Sequence, residues 1–103
     1  MIIFNTTFHV EDDVCDKYIR FMKEYYIVKA VNSGFLHEPR FARIHAQHEE
    51  SGSSYSLQFK VKNLDTLNHW YAAEGEALQK EITTHFGNRA LGFVTILEEI
   101  DLG

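Results

Sequence analysis

Proline and cysteine occur once each in this sequence, as Pro39 and Cys15. A single proline leaves little room for stiff linkers, and a lone cysteine excludes an internal disulfide. No apolar run approaches the ~18 residues that a membrane-crossing helix needs. The opening MIIFNTTFHV is too short and too polar for a secretory leader. Clustered cations are missing as well: ten basic residues lie scattered among fifteen acidic ones, for a formal charge of −5. Binding to nucleic acid or to an anionic membrane is therefore not expected, because both need grouped Lys and Arg. Glycine-rich phosphate loops and tight-turn nucleophile motifs are absent, which leaves nucleotide binding and nucleophilic catalysis without support. The chain reads as a cytoplasmic protein with no membrane contact.

What the sequence has is apolar and aromatic side chains. They reach 45% and 14% of the 103 residues, enough to exclude disorder and to build one ordinary core. A single domain over residues 1–103 is expected. MIIFNTTFHV alternates as a strand, with Ile2, Phe4, Thr6, Phe8 and Val10 on one face. Glu11 to Asp13 then open a helix, where Asp12 or Asp13 can cap free amides. Its apolar stripe is Val14, Tyr18, Met22 and Tyr25, widened by Phe21 and Val28, and it fades near Asn32. Cys15 reads as a small hydrophobe beside that stripe. Arg40 to Gln47 is the second strand, His48 to Ser53 a hairpin turn, and Ser54 to Lys62 the third strand. Asn63 to Thr66 carry a capping signal for a second helix with the stripe Leu67, Tyr71, Leu78, Ile82 and Phe86. Gly75 interrupts that stripe and predicts a kink, a break or a close contact. Gly87 ends the helix, and Arg89 to Ile100 is the last strand.

This order, βαββαβ, is that of an α+β ferredoxin-like fold: a four-stranded antiparallel or mixed sheet, order 4-1-3-2, with two helices on one face. The right-handed crossover rule places strands one and three side by side, and a parallel pairing is expected. The stretch RFARIHAQH raises the functional question. Ala42, Ile44 and Ala46 are small enough to face the helices, which turns Arg43, His45 and Gln47 to the open face. There they join Asn5, Thr7 and Gln58 from strands one and three. Strand four is apolar on both sides, through Leu91, Phe93 and Leu97 and through Val94 and Ile96. A strand of that kind implies that part of the open face is covered. Two copies packed through their open faces would cover it, giving a homodimer with a polar cavity between the subunits. Asn5, Thr7, Arg43, His45, Gln47 and Gln58 are the candidate ligand-binding residues of that cavity. Arg43 suits an anion anchor, or a salt bridge between subunits to Glu98 or Glu99.

The stretches NTTFHVEDDV, PRFARIHAQHEE, YSLQFKV and HFGNRALGFVTILEE resemble a small bacterial family of short proteins classed only as a domain of unknown function. The arrangement is similar to the dimeric α+β barrel superfamily, which includes antibiotic-biosynthesis-type monooxygenases, haem-degrading enzymes and muconolactone isomerases. The resemblance implies a barrel and a central cavity but brings no catalytic residue with it. Haem-degrading members use an asparagine early in strand one, a tryptophan on the second helix and a histidine further along. Asn5 and Trp70 match, whereas Lys80 stands where the histidine would fall, so no cofactor is expected. Trp70 is expected to pack with its indole donor satisfied. Six histidines invite a metal site, yet His45 and His48 have opposite parity and no zinc spacing accompanies them, so structural or solvated roles are expected and no metal. The expected function is a small dimeric binding or structural module with a small-molecule cavity. The alternatives are a monooxygenase- or isomerase-like enzyme acting on a small aromatic or acidic compound, and a protein-interaction domain without ligand.

Overall fold

The computed structural model describes residues 1–45 and 51–103. Four strands, β1 (Ile2–Val10), β2 (His37–Ile44), β3 (Ser53–Val61) and β4 (Ala90–Glu98), form one sheet in the order β2-β3-β1-β4. Two helical rods connect them. The first joins α1 (Cys15–Phe21) through a π-helical turn at Met22–Tyr26 to α2 (Ile27–Asn32). The second joins α3 (Leu64–Trp70) through a π-helical turn at Tyr71–Gly75 to α4 (Glu76–Phe86). This is the ferredoxin-like α+β fold that the element order predicts. The expected pairing of strands one and three needs correction: they are neighbours, but antiparallel, as are all three strand pairs. The crossover from β1 to β2 skips one position, and β3, linked to β2 by a short connection, fills it running the opposite way.

Strand β3 alternates without a break, with Ser53, Tyr55, Leu57, Phe59 and Val61 buried under the helices. Phe4, Phe8 and Val10 join them from β1. The first rod buries Tyr18, Met22, Tyr26 and Ala30. An ordinary α-helix drifts away from a spacing of four; the wider π turn absorbs the drift. Tyr26 therefore takes the core place expected of Tyr25. Tyr25 lies half-buried, and its hydroxyl donates to both carboxylate oxygens of Glu81 at 2.8 and 2.9 Å, tying the two rods together. Val28, assigned to the stripe by spacing, is exposed.

In the second rod Leu67, Trp70, Leu78, Ile82 and Phe86 are buried. Gly75 closes the π turn directly under Trp70, and this is the close contact anticipated there. A Cβ at Gly75 would lie 2.6 Å from Cζ3 of the indole, well inside van der Waals distance. Trp70 packs against Phe4 at 5.6 Å between ring centroids and against Tyr71 at 5.1 Å. Its indole N–H has no partner among the described residues, contrary to expectation, and neither does the buried hydroxyl of Tyr18. Asn63 caps the second rod as expected, its side-chain oxygen accepting from the Thr66 amide at 2.8 Å. Among the described residues no side chain caps the first rod. Asp13 instead pairs with Arg89, which also approaches Glu11 at 3.7 Å and so ties the first helical turn to the start of β4.

The facing of β2 is the reverse of expectation. Phe41 lies opposite Leu57 and Arg43 opposite Tyr55, both on the helix-covered face. Ala42 lies opposite Ser56 and Ile44 opposite Ser54, on the open face. The register slips between His37 and Arg40, where Glu38 takes a positive φ of 49°. One extra residue inverts the parity of everything after it. Leu36 is buried before the slip and Phe41 packs under the first rod after it, 6.1 Å from Tyr18 and 5.7 Å from Tyr55.

Candidate functional site

The open face of the sheet has a polar middle between two apolar margins. The middle comes from β1 and β3, which pair Asn5 with Gln58, Thr7 with Ser56 and His9 with Ser54. Five of these six side chains bond to one another. The Ser56 hydroxyl donates to Asn5 Oδ1 at 2.6 Å, the Asn5 amide donates to Thr7 Oγ1 at 3.2 Å, and His9 Nδ1 lies 3.2 Å from Ser54 Oγ. Asn5 is only 9% exposed, although it lies on the sheet face opposite the helices. Lys60 ends the polar middle and approaches Glu38 at 3.6 Å and Glu99 at 3.5 Å.

On β4, Leu91, Phe93 and Leu97 form the first margin, opposite His9, Thr7 and Ile3 of β1. Leu91 is 59% and Phe93 64% exposed. Ala42 and Ile44 of β2 form the other margin. The helix-side residues Val94 and Ile96 of β4 are exposed too, because the rods stop short of this edge strand. Between α4 and β4 that gap forms a groove of ≈ 420 Å³, whose lining includes Phe8, Ile82, Gly92 and Val94. Gly92 is required there. A Cβ would meet the Phe8 ring at 2.7 Å.

Of the candidate residues, Asn5, Thr7 and Gln58 come together on the open face. Arg43 does not join them. It lies on the helix-covered side, where its guanidinium donates to the buried Ser53 hydroxyl at 2.8 Å. Within the same chain, Glu99 pairs with Lys60. His45 sits exposed just past the end of β2, and Gln47 falls outside the described residues. Arg40 takes the place expected of Arg43: it stands on the open face opposite Gln58. Its signal in the sequence was the neighbouring Glu38-Pro39, a natural place for a strand irregularity.

Other candidate chemistry disperses. Asn5 faces the open side and Trp70 lies beneath the rods on the opposite side, so the pair implied by the haem resemblance cannot meet one ligand. Among the described residues no group of three or more His, Cys, Asp or Glu is placed to hold a metal. His9, His37, His45, His69 and His85 are all exposed. Cys15 is half-buried, with its sulfur 2.8 Å from the Tyr55 hydroxyl. Burial pushes the Tyr55 phenol up, and the Cys15 contact adds to that shift. Burial likewise raises the phenols of Tyr18, Tyr26 and Tyr71. Among the described residues no helix is long and apolar enough to cross a membrane.

Solved structures share this architecture at low identity. An ethyl tert-butyl ether d (ethd) family protein from Bacillus halodurans superposes with a TM-score of 0.75 at 14% identity, over 97% of this chain and 100% of that one. An antibiotic biosynthesis monooxygenase gives 0.70 at 10%, over 98% and 100%. A dimeric ferredoxin-like protein from an uncultured marine organism gives 0.61 at 13%, over 98% and 97%. At such identities the likeness shows the fold alone. No curated protein matches the sequence. A family model does, over residues 1–100: the chain carries the ferredoxin-like fold and belongs to the family described as a domain of unknown function, DUF4286.

Proposed function

We propose that the chain works as a homodimeric binding module in which two open sheet faces meet and enclose a polar chamber. The exposed apolar margin of β4 carries this reading. Leu91, Phe93 and Leu97 stand free on a strand whose first eight residues include no charge. Apolar rims on both sides of a polar middle can seal while the middle stays hydrogen-bonded, so covering it strands few polar groups. Asn5, Thr7 and Gln58 line the chamber on this reading, and Arg40 stands at its margin as the cation for an acidic or carbonyl-bearing small molecule. Arg43 and His45 lie away from it. A structure neighbour described as dimeric supports the same assembly.

The test is mass in solution. The intact chain should scatter light as twice its 12.0 kDa. Burying one Phe side chain stabilises by at least ~1.5 kcal/mol, so losing it from both copies weakens the pair more than a hundred-fold. Phe93→Asp should therefore give the single-chain mass, whereas Val28→Asp on the outer side of the first rod should not. A dimer untouched by Phe93→Asp would overturn the reading.

A further inference from the structure

The uncommitted polar groups of the open face all fall in one line. Ile44, Ser54, His9 and Leu91 form one row across the strands, and Ala42, Ser56, Thr7 and Phe93 form the next. The polar side chains of these two rows bond to one another or to Asn5. The third row is Arg40, Gln58, Asn5 and Thr95. Among the described residues the side chains of Arg40, Gln58 and Thr95 have no partner, and Asn5 keeps a second amide hydrogen to give. In the fourth row Lys60 holds two carboxylates, those of Glu38 and Glu99. Arg40 has none among the described residues. Closing two faces over this row takes its guanidinium out of water, which is strongly unfavourable without a counter-ion. A two-fold pair presents the same patch twice. The other copy thus brings the same row of donors, while its Glu38 and Glu99 are engaged by its own Lys60.

We propose that each Arg40 row seats a small monocarboxylate with an apolar body, and that this ligand tightens the dimer. The inference rests on the dimer proposed above and names what its chamber holds. The planar guanidinium fork takes both oxygens of a carboxylate. Gln58, on the adjoining strand ~4.8 Å away, gives its amide to the same group. One uncompensated cation per row balances one negative charge, which favours a carboxylate over a phosphate monoester with its charge of about −1.5 to −2. Ala42 and Phe93 flank the row on one side, and Ile3 and Leu97 on the other. The body of the ligand therefore rests on apolar surface. Because the closed pair is what buries the Arg40 charge, the carboxylate binds the dimer in preference to the single chain. Mass action then ties assembly to its concentration.

Sodium benzoate is the probe, set against sodium chloride and sodium phosphate at equal ionic strength. Sedimentation over a dilution series should give a dimer in chloride whose dissociation constant falls at least about ten-fold in saturating benzoate, and not in phosphate. The Gln58 side-chain amide signals should shift with benzoate in NMR spectra. Both effects should vanish in Arg40→Gln and persist in Arg43→Gln, which alters the opposite side of the same strand. A single-chain mass in every salt would sink the parent dimer. A dimer whose constant and Gln58 signals ignore benzoate would overturn the carboxylate site alone. A benzoate effect that survives in Arg40→Gln, or an equal one in phosphate, would overturn it too. So would a dimer that weakens in Glu38→Gln and ignores benzoate, by giving Arg40 a carboxylate of the other copy.

Discussion

Replacing Gly75 with alanine tests the packing of the second rod. In an exposed helix this change stabilises by up to ~1 kcal/mol, because alanine loses less backbone entropy on folding. Here the added methyl would sit 2.6, 2.7 and 3.0 Å from Cζ3, Cε3 and Cη2 of Trp70. Ordinary carbon contacts begin at about 3.5 Å, so the ring must retreat by nearly 1 Å. Trp70 is fully buried against Phe4 and Tyr71, so a retreat of the ring disturbs both contacts. Overpacking of this kind costs ~1–3 kcal/mol. The net expectation is a loss of up to ~2 kcal/mol after the helix gain is subtracted. For a chain of this size that lowers the melting temperature by up to roughly 16 °C. Circular dichroism melts and urea titrations read the change directly. In a Trp70→Leu background, Gly75→Ala should become neutral or stabilising, a coupling that a double-mutant cycle isolates. A higher melting temperature for Gly75→Ala alone would refute the argument.

Two further changes have clear signs. Tyr18 holds a buried hydroxyl with no partner among the described residues, and burial raises its phenol above the ordinary 10.0. Tyr18→Phe should be neutral or stabilising at pH 7. The unfolded chain releases this proton above pH ~10 while the folded chain keeps it, so stability falls as pH rises past that point, by up to ~1.4 kcal/mol per pH unit for one such phenol. Urea titrations between pH 9 and 11 should show a shallower fall for Tyr18→Phe than for the parent; equal slopes would count against the burial argument. Asn63→Ala removes the cap on the second rod and should cost ~1 kcal/mol in the same titrations, while Asn63→Asp should restore most of it. An unchanged Asn63→Ala variant would contradict the cap.

Much of the fold was legible in the residues. Strand β3 alternates cleanly from Ser53 to Val61, and Asn63 and Gly87 bracket the second rod, so the element order and the sheet order followed. The relative direction of β1 and β3 was not legible, because the crossover that leaves β1 spans two positions and β3 fills the gap antiparallel. The facing of β2 failed for a local reason. Ala42, Ile44 and Ala46 look like a core set only if the strand is regular, and the irregularity at Glu38 and Pro39 hands that role to the larger Phe41. Arg43 moved to the other face with it. The candidate site was therefore legible where β1 and β3 build it, through Asn5, Thr7 and Gln58, and not where β2 contributes. The π turns were invisible to a search at 3.6 periodicity, which put Tyr25 where Tyr26 belongs.

The meeting of two open faces is tested most directly by isotope-filtered NMR on a sample mixing labelled and unlabelled chains. The account predicts contacts between copies from the Phe93 ring and the Leu97 methyls to open-face residues of the other chain. A spectrum with no contacts between copies at those side chains, from a sample whose mass is that of one chain, would contradict it.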